Sequence, residues 1–282
     1  LMYRAYHALS TAPMTAPDGT PTTAVHGFTM MLLRLLETER PERMAVAFDA
    51  HAATFRHQMY EGYKANRAPM PEDLRAQDPV IRELISLMGI PLIEKPGYEA
   101  DDILGTLSLL CEQSGDDALI VTGDRDSFQL AGPHTHILYT RKGLSDTVVV
   151  DEAYIAEKYG VSPGQLIDVK SLMGDASDNI PGVSGVGEKT ALRLVAQYGN
   201  LENALAQAET EEKGKLRERL LTQAEQARLS RTLAEIDRRV PLEVTPDLLT
   251  IGDPAGALTR LKELGMNQAA QRLAKICPQP AS

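Results

Sequence analysis

Eight carboxylates fall in four short clusters of this 282-residue chain: Asp49; Glu99, Asp101 and Asp102; Asp124 and Asp126 in the run Gly-Asp-Arg-Asp; and Asp175 and Asp178 in Gly-Asp-Ala-Ser-Asp-Asn. Hard oxygen donors from several segments are what magnesium or manganese requires. Two such ions about 4 Å apart can hold both the attacking and the leaving oxygen of a phosphodiester. Taken singly, most of these acids have an ordinary explanation. Asp101 and Asp102 suit a helix's first turn, where the macrodipole favours negative charge, and Asp175 suits a turn. The joint pattern is what points to a metal site.

A second constellation is Gly182-Val183-Ser184-Gly185-Val186-Gly187-Glu188-Lys189-Thr190-Ala191. Glycines at that spacing let the backbone approach an anion closely, and a helix N-terminus beside them offers N–H groups to phosphate. Lys189 adds charge. No apolar strand precedes these glycines, which makes a dinucleotide fold a poor reading, while a plain helix-turn-helix remains the alternative. The third constellation interleaves basic and aromatic residues: Phe55, Arg56, His57, Tyr60, Tyr63, Lys64 and Arg67. Cations can grip the phosphates of a single strand while bases stack on tyrosine. The alternative is a solvated amphipathic helix with snorkelling arginines.

These groups need a frame that brings them together. Residues 43–48 and 118–122 read as buried strands ending just before Asp49 and Gly123-Asp124, and residues 71–88 and 100–112 carry apolar residues at helical spacing between them. This is α/β alternation. In open parallel sheets, sites form beyond the carboxyl ends of strands, so Asp49 and Asp124 are expected to face one cleft. Past residue 151 the strand signal stops. Helices are predicted over 153–159, 163–172, 188–198, 201–208 and 216–236, with a boundary near residue 150.

Composition bounds the rest. With 43% hydrophobic and 24% charged residues the chain reads as globular. The apolar run 30–36 is broken by Arg34 and is too short to span a bilayer, and a cytoplasmic location is expected. Cys111 and Cys277 have neither zinc nor disulfide spacing and are expected to be free thiols. The net charge of −10 argues against nucleic acid until the clustered acids are assigned to cations.

The motifs Tyr3-Arg4-Ala5-Tyr6, Phe48-Asp49-Ala50, Phe55-Arg56-His57, Tyr63-Lys64-Ala65-Asn66-Arg67-Ala68-Pro69, Pro96 to Asp102, Thr122 to Asp126 and Gly174 to Ala191 together resemble the 5′ nucleases related to flap endonucleases, most closely the N-terminal nuclease domain of bacterial DNA polymerase I. The resemblance spans nearly the whole chain. It implies a mostly parallel central sheet flanked by helices (residues 1–150), with a helical arch at about 50–80. It also implies a helical subdomain (151–282) carrying a helix-three-turn-helix element at 174–198 that binds duplex phosphates, with K+ there. The implied activity is metal-dependent 5′-3′ exonuclease and flap endonuclease cleavage in replication and repair, leaving a 5′-phosphate and a 3′-hydroxyl.

Carried over by position, Asp49, Glu99, Asp101 and Asp102 are the first metal cluster and Asp124, Asp126, Asp175 and Asp178 the second, with Asp102 and Asp175 acting through water. Arg56, Lys64 and Arg67 are the catalytic cations that steady the scissile phosphate. Tyr3, Arg4, Tyr63, Gly182, Gly185, Gly187, Lys189 and Thr190 are the DNA contacts. The expected partner is DNA with 5′ flaps, nicks or ends, bound by a monomer. The family opens with an apolar strand ending in Asp-Gly shortly before the position of Tyr3, and that segment is expected upstream. A junction-binding module without catalysis, a small-RNA nuclease of related fold, and a stand-alone rather than polymerase-fused nuclease are the alternatives.

Overall fold

The computed structural model describes residues 1–142 and 146–276; Cys277 lies outside them. The chain opens with α1 (Met2–Leu9) and α2 (Thr23–Thr38). Helix α2 is apolar nearly all round, burying Val25, Phe28, Leu32, Leu33 and Leu36, so it must be a core helix rather than a surface one. No side chain at its own N-terminus caps it. Instead Gln77 Oε1, buried on α4 (Glu72–Leu87), accepts from the amides of Ala24 (2.6 Å) and Val25 (3.2 Å). Those amides would otherwise be orphaned donors.

Strand β1 (Val46–Ala47) leads through α3 (Phe55–Met59) and α4 to β2 (Leu92–Ile93), which pairs with β1 in parallel, Val46 opposite Leu92. Helix α5 (Ala100–Ser114) crosses to β3 (Ala118–Thr122), which pairs in parallel with β4 (Thr135–Lys142); β4 pairs in turn with antiparallel β5 (Asp146–Val150). The frame is α/β, as expected, but the described sheet is in two pieces, β1-β2 and β3-β4-β5. A cavity of about 1010 Å³ lies between them, walled by Val46 and Ala47 on one side and Leu119 and Val121 on the other.

The second half is helical: α6 (Glu152–Tyr159), α7 (Gln165–Met173), α8 (Glu188–Tyr198), α9 (Leu201–Glu211), α10 (Gly214–Thr222) and α11 (Ala224–Ala234). Its core joins Val161, Leu172, Val183, Leu194, Leu201 and Leu220. Three expectations are corrected. The helix predicted over 216–236 divides at Gln223, whose side-chain oxygen accepts from the Ser184 amide at 2.8 Å. Residues 50–80 are not one exposed arch, because α4 is buried against the first core through Leu74 and Ile81, and Met70 packs against it as well. Residues 151–282 are not one packing unit either: α12 (Ala255–Glu263) and α13 (Asn267–Ile276) return to the first core through Leu261 and Leu273. Among the described residues no helix is long and apolar enough to cross a membrane.

Candidate metal and nucleic-acid site

Local structure explains how the acids converge. Asp49 follows β1, and its Oδ1 accepts from the Ala100 amide at 2.8 Å, which ties it to the start of α5. Glu99 is the N-cap of α5 in a reciprocal capping box with Asp102, so Asp101 projects from the first turn. Asp124 and Asp126 follow β3, joined by the Asp126 amide donating to Asp124 Oδ1 at 3.0 Å. Asp175 and Asp178 sit on the loop after α7, closed by paired backbone bonds between Asp175 and Ile180. Asp49, Glu99, Asp101, Asp124, Asp126 and Asp178 all line the one cavity, with Tyr3 and Arg4 on its wall. Among the described residues, though, no three acidic, histidine or cysteine side chains stand close enough to hold a metal ion in this arrangement.

Resident cations account for part of that spacing. Arg56, 2% exposed, donates to both Asp102 oxygens (2.8 Å each), to Glu99 (3.3 Å), and to the carbonyls of Leu233 (2.9 Å) and Glu235 (2.6 Å). All five N–H groups of its guanidinium are engaged. Burial alone would lower its basicity, but the Asp102 hydrogen bonds and charge outweigh it and raise the pKa. None of its donors is left for a phosphate, so its expected contact with the scissile phosphate is not available in this arrangement. Asp102, fully buried, also accepts from the amides of Glu99 (3.0 Å) and Asp237 (2.8 Å). Its carboxylate is saturated by the fold, and the helix-start explanation describes it better than a metal role.

Lys64 pairs with Glu99 and stands 3.8 Å from Asp178, and Arg67 donates to Asp178 Oδ1 at 2.5 Å. The segment carrying them is clamped down. The Lys64 amide donates to the Asp178 carbonyl (2.9 Å), Asn66 to the Ala176 carbonyl (2.7 Å), and Asn179 to the Gly62 carbonyl (2.6 Å). Lys64 holds φ +55° to make this turn, a left-handed conformation that non-glycine residues seldom adopt. Tyr63 is buried and donates to Glu99 at 2.9 Å, so it is no stacking platform here. Lys170, absent from the expected set, bridges Asp126 (2.5 Å) and Asp175 (2.6 Å).

Asp49, Asp101 and Asp124 are left with no ion-pair partner among the described residues. Burial, then the charges of Asp124, Asp126 and Asp49, push the Asp101 carboxyl up to about 8. A crowd of carboxylates whose mutual repulsion no direct ion pair relieves is a donor set that a hard divalent cation would satisfy, and in that chemical sense the residues fit a metal. Asp126 is pushed up to about 6 by burial against the pull of Lys170. At Asp175, burial is outweighed by hydrogen bonds from Lys170 and Ser177, which hold it down to about 2.

The glycine run forms a turn into α8. Gly182 (φ +61°) lies so near the chain at Gly174 that a Cβ would meet the Gly174 nitrogen at 2.3 Å, so only glycine fits. Its amide donates to Ser230 Oγ (3.0 Å), and its carbonyl accepts from Gln226 (2.6 Å). Gly185 (φ +72°) is exposed and Gly187 caps α8. Lys189 is exposed on the first turn, with Thr190 half-buried beside it. The Arg219 guanidinium of α10 lies over Gly185, its Nη1 2.0 Å from where a Cβ would stand. Arg219 was not foreseen. Tyr3 is exposed at the cavity, and Arg4 is anchored to the Gly123 carbonyl (2.7 Å) beside Asp124.

Residues 1–160 match the family model described as 5′-3′ exonuclease, N-terminal resolvase-like domain, and residues 161–257 match 5′-3′ exonuclease, C-terminal SAM fold. The chain is 44% identical over 274 residues to DNA polymerase I of Bacillus caldotenax, covering 96% of this chain and 31% of that protein. It is 42% identical over 276 residues to DNA polymerase I of Bacillus subtilis, covering 97% and 31%. It therefore spans about a third of the length of these relatives. Among solved structures, the zinc-bound 5′-exonuclease of T5 superposes with a TM-score of 0.67 at 21% identity, covering 98% of this chain and 94% of that one. The catalytic core of Rad2 in complex with DNA substrate superposes with a TM-score of 0.60 at 20% identity, covering 92% and 87%. At that identity the structures establish the shared fold.

Proposed function

Because the chain belongs to the 5′-3′ exonuclease family, we propose that it hydrolyses phosphodiester bonds at the 5′ ends, flaps and nicks of DNA with Mg2+ or Mn2+ held by the cleft carboxylates. The observation that carries this reading is the trio Asp49, Asp101 and Asp124, which line one cavity and form no ion pair among the described residues. Asp126, Asp175 and Asp178 would complete a second ion's site. Bound there, the ions would supply electrostatic stabilisation of the phosphoryl group and a more acidic water. The protein's own contribution is positioning. The glycine turn and Lys189 would hold duplex phosphates, and Arg67, half-exposed, is free to exchange Asp178 for a phosphate of the cleaved strand. Lys64, better buried, would neutralise the crowded acids as DNA enters.

K+ at the 174–198 element, monomeric action in the cytoplasm, and fusion to a polymerase as in the longer relatives belong to the same proposal. The competing reading, a junction-binding module without chemistry, is favoured by the absence of three converged ligands among the described residues. A 5′-labelled flap substrate separates the two. Cleavage in Mg2+ or Mn2+ that stops in excess chelator is expected, and binding without cleavage at any divalent-ion concentration would establish the module instead.

A further inference from the structure

The two carboxylate groups of the cleft are not equally open. Asp49, Asp101 and Asp124 form no ion pair among the described residues, whereas Asp126 and Asp175 are already bridged by one cation, Lys170, at 2.5 and 2.6 Å. Lys170 is 9% exposed and projects from α7, an otherwise largely apolar helix. Asp175 has its second oxygen committed as well, since Oδ1 accepts from the Ser177 amide (2.7 Å) and hydroxyl (2.6 Å). Both Asp175 oxygens are therefore committed, Oδ1 to Ser177 and Oδ2 to Lys170. The bridge also joins the two halves of the chain, Asp126 following β3 and Asp175 following α7.

We infer that Lys170 is a tethered competitor for a divalent ion: it occupies the position between Asp126 and Asp175 and so makes that pair the weaker of two ion-binding groups. Resting on the metal-dependent reading above, this goes a step beyond it. A buried ammonium and a dication cannot share the same two oxygens without strong repulsion, so filling the pair requires expelling Lys170. Without an ion, Lys170 bridges the pair, a link that Asp49, Asp101 and Asp124 lack among the described residues. The design lets the cleft stay folded when empty, and it ties loading of the second ion to conditions that draw Lys170 away, such as an incoming phosphate.

The test is a Mn2+ titration of the whole 282-residue chain by calorimetry, comparing the parent with Lys170→Met, which removes the charge, and Lys170→Arg, which keeps it. The parent should show a tight and a weak class. Lys170→Met should tighten the weak class by about tenfold or more, equivalent to about 1.4 kcal/mol, while Lys170→Arg leaves it weak. An unchanged or weaker second class in Lys170→Met, or equal classes in the parent, would overturn the inference. No Mn2+ binding by the parent would instead defeat the metal-dependent reading itself. Should Lys170→Met fail to fold, the unaltered chain gives the answer. Acetylation of Lys170 read by mass spectrometry should accelerate as Mg2+ is added, and a constant rate overturns the inference.

Discussion

The acid-lined cleft and the glycine turn both carry conspicuous cations, but they use them in opposite ways. In the cleft, Arg56, Lys64, Arg67 and Lys170 each pair with carboxylates. At the turn, Lys189 and Arg219 form no ion pair among the described residues. The cleft therefore balances its own charge and leaves only a few acids for an incoming ion. The turn leaves its positive charge for an incoming anion. Seen this way, the net charge of −10 is no bar to binding a polyanion, because charge is segregated by region and fields act locally at physiological salt.

The sharpest way to break this division is to alter an unpaired acid. Replacing Asp124 by Ala should lower flap cleavage on the order of a hundredfold or more, with DNA affinity kept or improved, as read by a cleavage assay beside a gel-shift assay. If affinity falls in step with cleavage, the cleft acids hold the structure rather than the chemistry. The paired cations should fail differently. Arg56→Ala leaves Asp102 buried and uncompensated, a loss of about 3–5 kcal/mol. Thermal melting should drop by roughly 10 °C for a chain of this size. An Arg56→Ala variant that melts like the parent would show that the Asp102 pair contributes little.

The unpaired acids should also cost stability while no metal is bound. The folded pKa of Asp101, about 8, lies above its ordinary 3.8, so the folded state disfavours its ionised form. The penalty is absent below 3.8, grows as pH rises, and is complete above about 8. In chelator, Asp101→Asn should therefore melt higher than the parent by a margin that widens from pH 5 to pH 8. Added Mg2+ should shrink the margin, since only the parent gains a ligand. A margin independent of pH would mean that Asp101 is not strained by its neighbours.

How legible this was from sequence differs between the same two regions. Helix α8 and strand β3 appear at the residues predicted for them, 188–198 and 118–122, because each is bounded by glycine or an abrupt polar change. The break at Gln223 was invisible, since no Gly or Pro marks it and a hydrogen bond from Ser184, far away in sequence, accompanies it. The acids and glycines announced themselves by type and spacing. The partners of Arg56 did not, lying 46 residues away at Asp102 and 177 away at Leu233. Lys170 left a trace, a lone lysine inside an apolar helical pattern, but nothing in the pattern says which acid it meets. Return of α12 and α13 to the first core was equally hidden, because their apolar faces fit any helix.

The smallest expected effects concern the turn, and they refine the comparison most finely because they need only single cations. Lys189 is exposed on the first turn of α8, where the helix N-terminus and its free amides favour an anion. Arg219 reaches the same place from α10, lying over Gly185 with no ion pair among the described residues. If both meet duplex phosphates, Lys189→Ala and Arg219→Ala should each weaken binding modestly and about equally for all sequences. Each should also reduce the slope of log K against log salt by roughly one, the signature of one fewer phosphate neutralised. Arg228 is the control. It stands on α11, close by in the chain, but is paired with Glu202 and Glu225, so its replacement should leave the slope where it was. Equilibrium binding of a nicked duplex at several salt concentrations measures all three. If Arg228→Ala flattens the slope as much as Arg219→Ala does, pairing with an acid does not decide which cations meet DNA, and the division between cleft and turn loses its physical basis.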